Sequence, residues 1–182
     1  FGHVRGAFTG ASNPRQGAFQ RAHGGTIFLD ELGAVSPTVQ ARLLRVLEAR
    51  EVRPVGSDAP RAVDVRVVAA SRHDLSAAVA AGSFRPDLFY RLSVLRVALP
   101  PLRARREDVA LLIDSFLPAA SRANDRPSHT MMQAAVALLT KHPFPGNVRE
   151  LKNLVERLVI LTSEDVITEE DARMALPVLA SA

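Results

Sequence analysis

The sequence contains no cysteine among its 182 residues. That absence excludes a disulfide scaffold, a zinc site built on thiolates and a cysteine nucleophile. No apolar run approaches the roughly 18 residues that a membrane-spanning helix requires, and the first residues lack the features of a signal peptide. We therefore expect a soluble, cytoplasmic protein that has no membrane partner.

Lysine is also scarce, since only Lys141 and Lys152 are lysines among 23 basic residues and the others are arginines. The formal net charge is +4, and aromatic residues make up 5% of the chain. The arginines are spread over the whole chain, whereas a nucleic-acid-binding surface requires clustered basic residues. We therefore expect no direct contact between this chain and DNA.

Short apolar runs alternate with helical patterns in the first part of the chain. The predicted strands cover 26–29, 65–70 and 94–99, and the predicted helices begin at Ser36, cover 74–81 and 86–92, and run from Glu107 to Leu117. Continuous apolar strands of this kind are typical of a parallel sheet that helices cover on both faces. The sequence therefore predicts an α/β fold.

The pattern changes after Pro118. The predicted segments there are a linker over 119–128, helices over 130–142 and 147–161, and a short helix capped by Thr168. In the second of these helices, Asn147 is the expected N-cap and Glu150 completes a capping box. We expect a partial α/β domain over residues 1–122 and a small α-helical domain over residues 123–182.

Two adjacent carboxylates, Asp30 and Glu31, follow the predicted strand 26–29. Open α/β sheets bind ligands at the carboxyl ends of their strands. In a nucleotide hydrolase the first acid can hold Mg²⁺ through water and the second can polarise the attacking water. The spacing alone is equally compatible with two solvated acids at the end of a strand.

Three arginines are candidates for contact with phosphates. Arg91 follows Arg85 by six residues, which on an ideal helix corresponds to a rotation of about 600°. The two side chains would therefore not share a face of one helix. Pro86 predicts that the helix begins after Arg85. Both residues can act as cations for a neighbouring subunit's phosphates. Arg149 lies in the first turn of a helix, where the dipole disfavours a cation and an anionic partner is expected. Ordinary surface arginines remain the alternative for all three.

The segment 6–11 places Phe8 and Thr9 between small residues. It is either a mobile loop tip that offers an apolar contact or a hairpin whose Phe8 packs into the core. No phosphate loop of the form G-x-x-x-x-G-K-[ST] occurs, since neither lysine follows a glycine. The five histidines show no metal-ligand spacing.

Taken together, these segments resemble the central AAA+ domain of sigma-54-dependent bacterial transcriptional activators. The matching stretches are GHVRGAFTGA at 2–11, GGTIFLDE at 24–31, FRPDLFYRL at 84–92, LPPLRARREDV at 99–109 and PGNVREL at 145–151. They are similar to that family's sigma-54 loop, Walker B strand, arginine-finger segment, the stretch after it, and the start of the sensor II helix. The resemblance covers essentially the whole chain, in the order of the family.

The resemblance implies a P-loop-type three-layer α/β sandwich with a helical lid, and ATP and Mg²⁺ as cofactors. By it, Asp30 assists Mg²⁺ through water and Glu31 prepares the attacking water. Arg85 and Arg91 reach into the next subunit's ATP, and Arg149 senses the γ-phosphate. The implied assembly is a homo-oligomeric ring, a hexamer or heptamer.

The resemblance also implies a protein partner, the sigma-54 RNA polymerase holoenzyme. The loop that contacts sigma-54 would consist of Gly6, Ala7, Phe8, Thr9, Gly10 and Ala11. ATP hydrolysis would move these loops and remodel the closed polymerase–promoter complex, which switches on transcription.

The sequence departs from the family in three places. Ser71 and Arg72 stand where the family has the threonine–asparagine pair called sensor I, which contacts the nucleotide. Pro86 replaces a residue that is usually acidic. The Walker A loop and the asparagine coupled to the catalytic glutamate are expected upstream of Phe1.

We therefore expect the chain to be a piece of a longer ATPase and to be inactive by itself. DNA would be bound only through a domain outside it. The alternative is a degenerate AAA+ module that binds sigma-54 or partner subunits without hydrolysis. An intact Walker A sequence upstream of Phe1 would favour the ATPase.

Overall fold

The computed structural model describes residues 1–7 and 9–176. The chain divides into two compact units, Phe1–Val97 and Ala98–Ala182. This division lies earlier in the chain than the expected one between residues 122 and 123. The difference arises because helix α5 (Asp108–Ala123), expected in the first domain, packs its buried side chains into the core of the second unit.

The first unit is built around two parallel strands. Strand β3 (Thr26–Leu29) pairs with β6 (Arg66–Ala69), and Leu29 lies opposite Ala69 at their carboxyl ends. The connection between them contains helix α2 (Pro37–Ala49), which begins with Ser36 as N-cap and a proline in its first turn. Both strands, their parallel pairing and the helix were predicted from the sequence, and the structure confirms them.

The two faces of this strand pair differ in burial. Ile27 is buried in the core of the first unit, whereas Phe28 is 61% exposed and Val68 is 40% exposed. Successive side chains of a strand point to opposite faces. Among the described residues, the core therefore covers the face of the pair that carries Ile27.

The first unit also contains short helices and hairpins. Their bounds are β1 (Gly2–His3), β2 (Arg15–Gln16), α1 (Ala18–Arg21), a 3₁₀ turn (Leu32–Ala34), β4 (Glu51–Val52), β5 (Arg61–Ala62), α3 (Leu75–Ala80) and α4 (Pro86–Leu92). The β1–β2 and β4–β5 pairs are antiparallel. The predicted helix 86–92 is confirmed, and α3 confirms the predicted helix 74–81 with Asp74 as its N-cap.

The predicted strand 94–99 was wrong. The structure describes no strand in this segment, and Val94, Leu95 and Leu99 are each more than 80% exposed. A strand is stable only when a neighbouring strand satisfies its backbone groups. The only parallel sheet described in the first unit has two strands, β3 and β6, and the apolar pattern of 94–99 has no partner there.

The second unit is mostly helical. Its elements are a 3₁₀ turn (Leu102–Ala104), α5, β7 (Thr130–Met131), α6 (Gln133–Lys141), α7 (Asn147–Leu161), β8 (Val166–Ile167) and α8 (Glu169–Ala175). The core is formed by apolar side chains of the four helices, among them Ile113, Leu139, Leu151 and Ala172. The predicted short helix capped by Thr168 is confirmed, since Thr168 and Asp171 form a reciprocal capping box. No helix in the described part of the chain is long and apolar enough to cross a membrane.

Two boundaries in the second unit were predicted wrongly. Helix α5 continues through Pro118 into the expected linker, because Leu117 and Ser121 on either side of the proline are buried. The expected helix 130–142 begins instead with the strand β7, which pairs in parallel with β8. Both outcomes depend on tertiary partners that local sequence does not reveal.

The start of α7 also differs from the prediction. Its N-cap is Gly146, whose N–H donates to Glu150 Oε2 at 2.6 Å. Asn147, the expected cap, has a positive φ of 55°, and its Oδ1 accepts the N–H of Leu102 at 2.9 Å. The expected capping box between Asn147 and Glu150 was therefore wrong: Glu150 accepts the Gly146 N–H instead, while Asn147 ties the preceding 3₁₀ turn to the helix.

Candidate functional site

The acid pair lies where the two parallel strands end. Beyond the strands, Ala70 N–H donates to Leu29 C=O at 2.8 Å and Leu32 N–H donates to Ala70 C=O at 2.9 Å. Glu31 adopts a left-handed backbone conformation with φ 52° and ψ 42°, which turns the chain into the 3₁₀ turn. Asp30 Oδ1 accepts the Glu31 N–H at 2.8 Å. Both carboxylates are thereby presented at the carboxyl edge of the sheet.

The structure brings Arg72 to this acid pair. Its Nη2 lies 2.9 Å from Glu31 Oε1 in an ion pair whose side chains are 74% and 52% exposed. Ser71 is engaged in its own turn, because its hydroxyl donates to His73 C=O at 2.9 Å and accepts the His73 N–H at 3.2 Å. Of the two residues expected to form sensor I, Arg72 therefore contacts the candidate catalytic group.

The donor set of this edge suits a magnesium ion bound with a nucleotide. Mg²⁺ prefers oxygen ligands, and it is usually held by one or two carboxylates together with phosphates and water. Asp30 is exposed and has only one oxygen engaged by the Glu31 N–H. Within the described residues, no group of three or more histidine and acidic side chains forms a metal site. Asp30 can therefore contribute one ligand, directly or through water.

The two candidate finger arginines flank helix α4. Arg85 is the N-cap of α4, as Pro86 predicted, and its guanidinium forms a fork with Asp87 through contacts of 3.0 and 2.6 Å. Arg91 lies in the last turn, is exposed, and donates to Leu47 C=O at 3.1 Å. Both guanidinium groups reach solvent, so a phosphate from another chain can approach them.

The two hydrogen bonds between Arg85 and Asp87 shift the pKa of both residues. The hydrogen bond from Arg85 lowers the pKa of Asp87, and the hydrogen bond to Asp87 raises the pKa of Arg85. A carboxylate with a depressed pKa in the folded state stabilises the fold above its unfolded pKa, about 3.9. That contribution is lost as the pH falls through the folded pKa.

We expect Asp87→Asn to lower the thermal midpoint near pH 7. The difference from wild type should shrink as the pH falls from about 4 through the lowered folded pKa of Asp87, because the carboxylate is neutral in both states only below that pKa. Thermal unfolding followed by circular dichroism between pH 7 and pH 3 measures this. The matched control is Asp64→Asn, whose partner Arg50 makes one contact at 3.2 Å in a pair that is 76% exposed on each side. Its effect should be smaller. A difference for Asp87→Asn that is the same at both ends of the pH range would contradict the linkage.

One residue at the finger segment was not found by the sequence analysis. Gln40, in the first turn of α2, is 1% exposed, and its amide makes hydrogen bonds to Val35, Ser83 and Arg85. The available signal was a polar residue within the apolar stripe of α2, beside Val39 and Leu43. A buried amide in such a stripe requires hydrogen-bonding partners, but the sequence alone does not show which residues these partners are.

The loop 6–11 connects β1 and β2. Its base is closed by a hydrogen bond of 2.8 Å from Gly6 N–H to Ala11 C=O. Gly6 and Gly10 have positive φ angles of 80° and 100°, which glycine adopts without steric cost. Gly6, Thr9 and Gly10 are exposed, Ala7 is half-buried and Ala11 is buried. Phe8, the predicted tip, lies outside the described residues.

Arg149 lies in the second unit, in the first turn of α7, and its side chain is exposed. It borders a cavity of about 300 Å³ that is lined by Gly146, Arg149, Glu150, Asn153, Leu154 and Arg157. Among the described residues, Arg149 has no ion pair or side-chain hydrogen bond. Its guanidinium is therefore available to an anion.

The parallel strand pair with acids at its carboxyl end, followed by a separate helical unit, is the arrangement expected of part of an AAA+ domain with its lid. Comparison with solved structures supports this class. NtrX from Brucella abortus, solved in complex with ADP, superposes with a TM-score of 0.82 at 37% identity, over 91% of this chain and 38% of NtrX. The expected α/β fold with a helical lid is confirmed.

The family follows from two sequence matches. Residues 1–98 match the Sigma-54 interaction domain and residues 103–177 match the AAA+ ATPase lid domain. The chain belongs to the sigma-54 interaction domain family, which confirms the resemblance seen in its motifs.

Two curated relatives place the chain within longer proteins. The transcriptional regulatory protein ZraR of Salmonella typhimurium is 47% identical over 97% of this chain and 40% of ZraR. The regulatory protein AtoC of Escherichia coli K12 is 48% identical over 94% of this chain and 37% of AtoC. The chain therefore spans less than half the length of these relatives.

Proposed function

We propose that this chain supplies catalytic and sigma-54-binding residues to a longer, ATP-hydrolysing transcriptional activator, called the full-length activator below. The observation that carries the proposal is the placement of Asp30 and Glu31 at the carboxyl edge of β3 and β6, with Arg72 in contact with Glu31. Membership of the sigma-54 interaction domain family supports the choice of partner. NtrX has been solved in complexes with ADP and with ATP, which supports the choice of nucleotide.

In this proposal the acid pair and its neighbours act on MgATP. Asp30 would hold Mg²⁺ through water, and Glu31 would accept a hydrogen bond from the attacking water and orient it towards the γ-phosphate. Ser71 and Arg72 lie at the nucleotide, where Arg72 keeps the Glu31 carboxylate at the edge of the sheet. Magnesium, when bound, supplies positive charge against the charge that develops on the phosphates.

The remaining arginines complete the proposed site. Arg149 senses the γ-phosphate from the lid, which its free and exposed guanidinium supports. Arg85 and Arg91 act on the ATP of the next subunit in a ring of six or seven copies. Such trans-acting arginines stabilise the charge of the transition state, and the exposure of both guanidinium groups supports this role.

The loop 6–11 is the proposed contact with sigma-54. Exposed Thr9 and Gly10, on a base closed by the Gly6–Ala11 hydrogen bond, support a projecting loop. ATP hydrolysis in the ring then moves these loops and remodels the polymerase–promoter complex.

Phe8→Ala in the full-length activator tests the sigma-54 contact. If Phe8 is the contact residue, its replacement should change stability by no more than about 0.5 kcal/mol, as for most surface substitutions. The ATPase rate should be retained, because Phe8 is not assigned to the nucleotide. Binding to sigma-54 in the presence of a transition-state mimic of ATP should be lost, which a pull-down assay measures.

The alternative outcomes of this experiment are distinct. A core phenylalanine would cost about 3–5 kcal/mol when replaced by alanine. A destabilised variant with normal sigma-54 binding would therefore contradict the loop assignment. Normal sigma-54 binding by a wild-type activator that binds ATP without hydrolysing it would instead support the non-hydrolysing module. Thr9→Ala, measured in the same two assays, tests the second proposed contact residue of this loop.

A further inference from the structure

The buried amide of Gln40 joins three separate segments of the first unit. Its Nε2 donates to Val35 C=O and to Ser83 C=O, each at 3.0 Å. Its Oε1 accepts the Arg85 N–H at 2.9 Å. Both N–H donors and the carbonyl oxygen of the amide are thus used, in a side chain that is only 1% exposed.

These contacts reach both groups of candidate functional residues. Val35 ends the turn that starts at Glu31, and the backbone of that turn is continuous with the acid pair. Arg85 caps α4, the helix that carries Arg91 in its last turn. The Gln40 amide therefore lies between a subunit's own acid pair and the arginines that it would offer to a neighbour.

We infer that Gln40 is a positioning residue that holds the start of α4, and with it Arg85 and Arg91, in register with the turn that follows Glu31. The inference rests on the proposed function for the roles of these three residues. Its physical basis is the geometry of hydrogen bonds, which weaken steeply when they are bent or stretched. Because the carboxamide is planar and rigid, a displacement of Val35 is passed to Ser83 and Arg85.

An apolar side chain of the same length would break this connection. In Gln40→Met, two carbonyl groups and the Arg85 N–H lose their partner, and a buried backbone group without a partner is costly. The start of α4 should then move away from its position or open more often. Small displacements of catalytic groups cost up to about 100-fold in rate.

The first measurement is amide hydrogen exchange at Arg85 in the chain as it stands. Loss of one hydrogen bond worth about 1.4 kcal/mol corresponds to about tenfold faster exchange. We therefore expect the Arg85 amide to exchange about tenfold faster in Gln40→Met than in wild type. Unchanged exchange at Arg85 would overturn the inference.

The second measurement is ATP hydrolysis by mixed subunits of the full-length activator. Gln40→Met alone should lose up to about 100-fold in turnover. Mixing it with Glu31→Gln should restore part of the activity, because the first subunit supplies an intact glutamate and the second supplies intact arginines. Mixing it with Arg91→Ala should restore nothing, because both subunits then lack a functional finger. A general loss of stability would affect both mixtures equally and would not produce this difference between them.

Val46→Ala is the matched control. Val46 lies on the same helix, is 6% exposed and carries no polar group. If Val46→Ala lowers the thermal midpoint as much and gives the same pattern in the mixtures, the effect of Gln40 is one of stability and the inference fails. Should Gln40→Met not fold, Gln40→Glu serves in the subunit mixtures, because it removes the donors to Val35 and Ser83. It keeps the oxygen facing Arg85, so the exchange measurement would then use Gln40→Leu, which removes all three hydrogen bonds.

The mixtures also separate this inference from the proposed function. If ATP hydrolysis recovers when Gln40→Met is mixed with Arg91→Ala but not when it is mixed with Glu31→Gln, Gln40 supports the acid pair of its own subunit. That result would overturn the inference. A reference mixture of Arg91→Ala and Glu31→Gln that assembles but shows no recovery would overturn the proposed action between subunits. The hydrogen-exchange result would then still decide whether Gln40 positions Arg85.

Discussion

Glu31→Gln in the full-length activator is expected to lower ATP turnover by about 10²–10⁴-fold, the usual contribution of a positioned acid–base group. Glutamine has nearly the same shape but cannot accept a proton or orient water through a negative charge. ATP binding should be retained, because the change leaves Asp30 and the phosphate contacts in place. Steady-state hydrolysis and the binding of a fluorescent ATP analogue measure the two properties separately.

The control for Glu31→Gln is Glu164→Gln, an exposed glutamate in the second unit that has no assigned role. Its turnover should equal that of wild type. If Glu31→Gln hydrolyses ATP within a few-fold of wild type, Glu31 is not the residue that prepares the water. The ion pair with Arg72 would then be an ordinary surface contact, worth at most about 1 kcal/mol.

Arg91→Ala is expected to have the largest effect of all, because arginine fingers contribute about 10³–10⁵-fold to turnover. The guanidinium of Arg91 is exposed, and its recorded hydrogen bond is to Leu47 C=O, so its loss should disturb the fold little. Mixing Arg91→Ala with Glu31→Gln subunits should restore part of the hydrolysis. At some interfaces of the mixed assembly, an intact glutamate then meets an intact arginine.

Arg173→Ala is the control for Arg91→Ala. Arg173 is an exposed arginine that pairs with Glu169 on helix α8, and its removal should leave turnover unchanged. The prediction is contradicted if no mixture, at any ratio and with assembly verified, exceeds the activity of either variant alone. In that case Arg91 acts within its own subunit or has no role in hydrolysis.

Several elements were determined by local sequence alone. The apolar run that precedes Asp30 predicted β3. Pro86 after Arg85 predicted the start of α4, and Thr168 predicted the start of α8. Each signal is local, since a strand needs an apolar run, a proline fits the first helical turn and a threonine side chain caps a helix. Membership of the family was likewise evident from contiguous motifs, such as the one at residues 2–11.

Other features required partners that are distant along the chain. The apolar segment 94–99 has the composition of a strand but no neighbour to pair with in the described structure. Asn147 has the composition of an N-cap, but its side chain accepts the N–H of Leu102 instead. Helix α5 passes through Pro118, because burial of the flanking residues outweighs the hydrogen bond that proline cannot donate.

The candidate site shows the same distinction. Sequence by itself determined that Asp30 and Glu31 end a strand and that Arg85 precedes a helix, because these facts depend on neighbouring residues. Only the tertiary structure decided that Arg72 contacts Glu31 and that Gln40 holds Arg85 from 45 positions away. The physical reason is that parallel strands meet at one edge only after the intervening chain has crossed over. A buried amide likewise finds its partners only when the helices around it have packed.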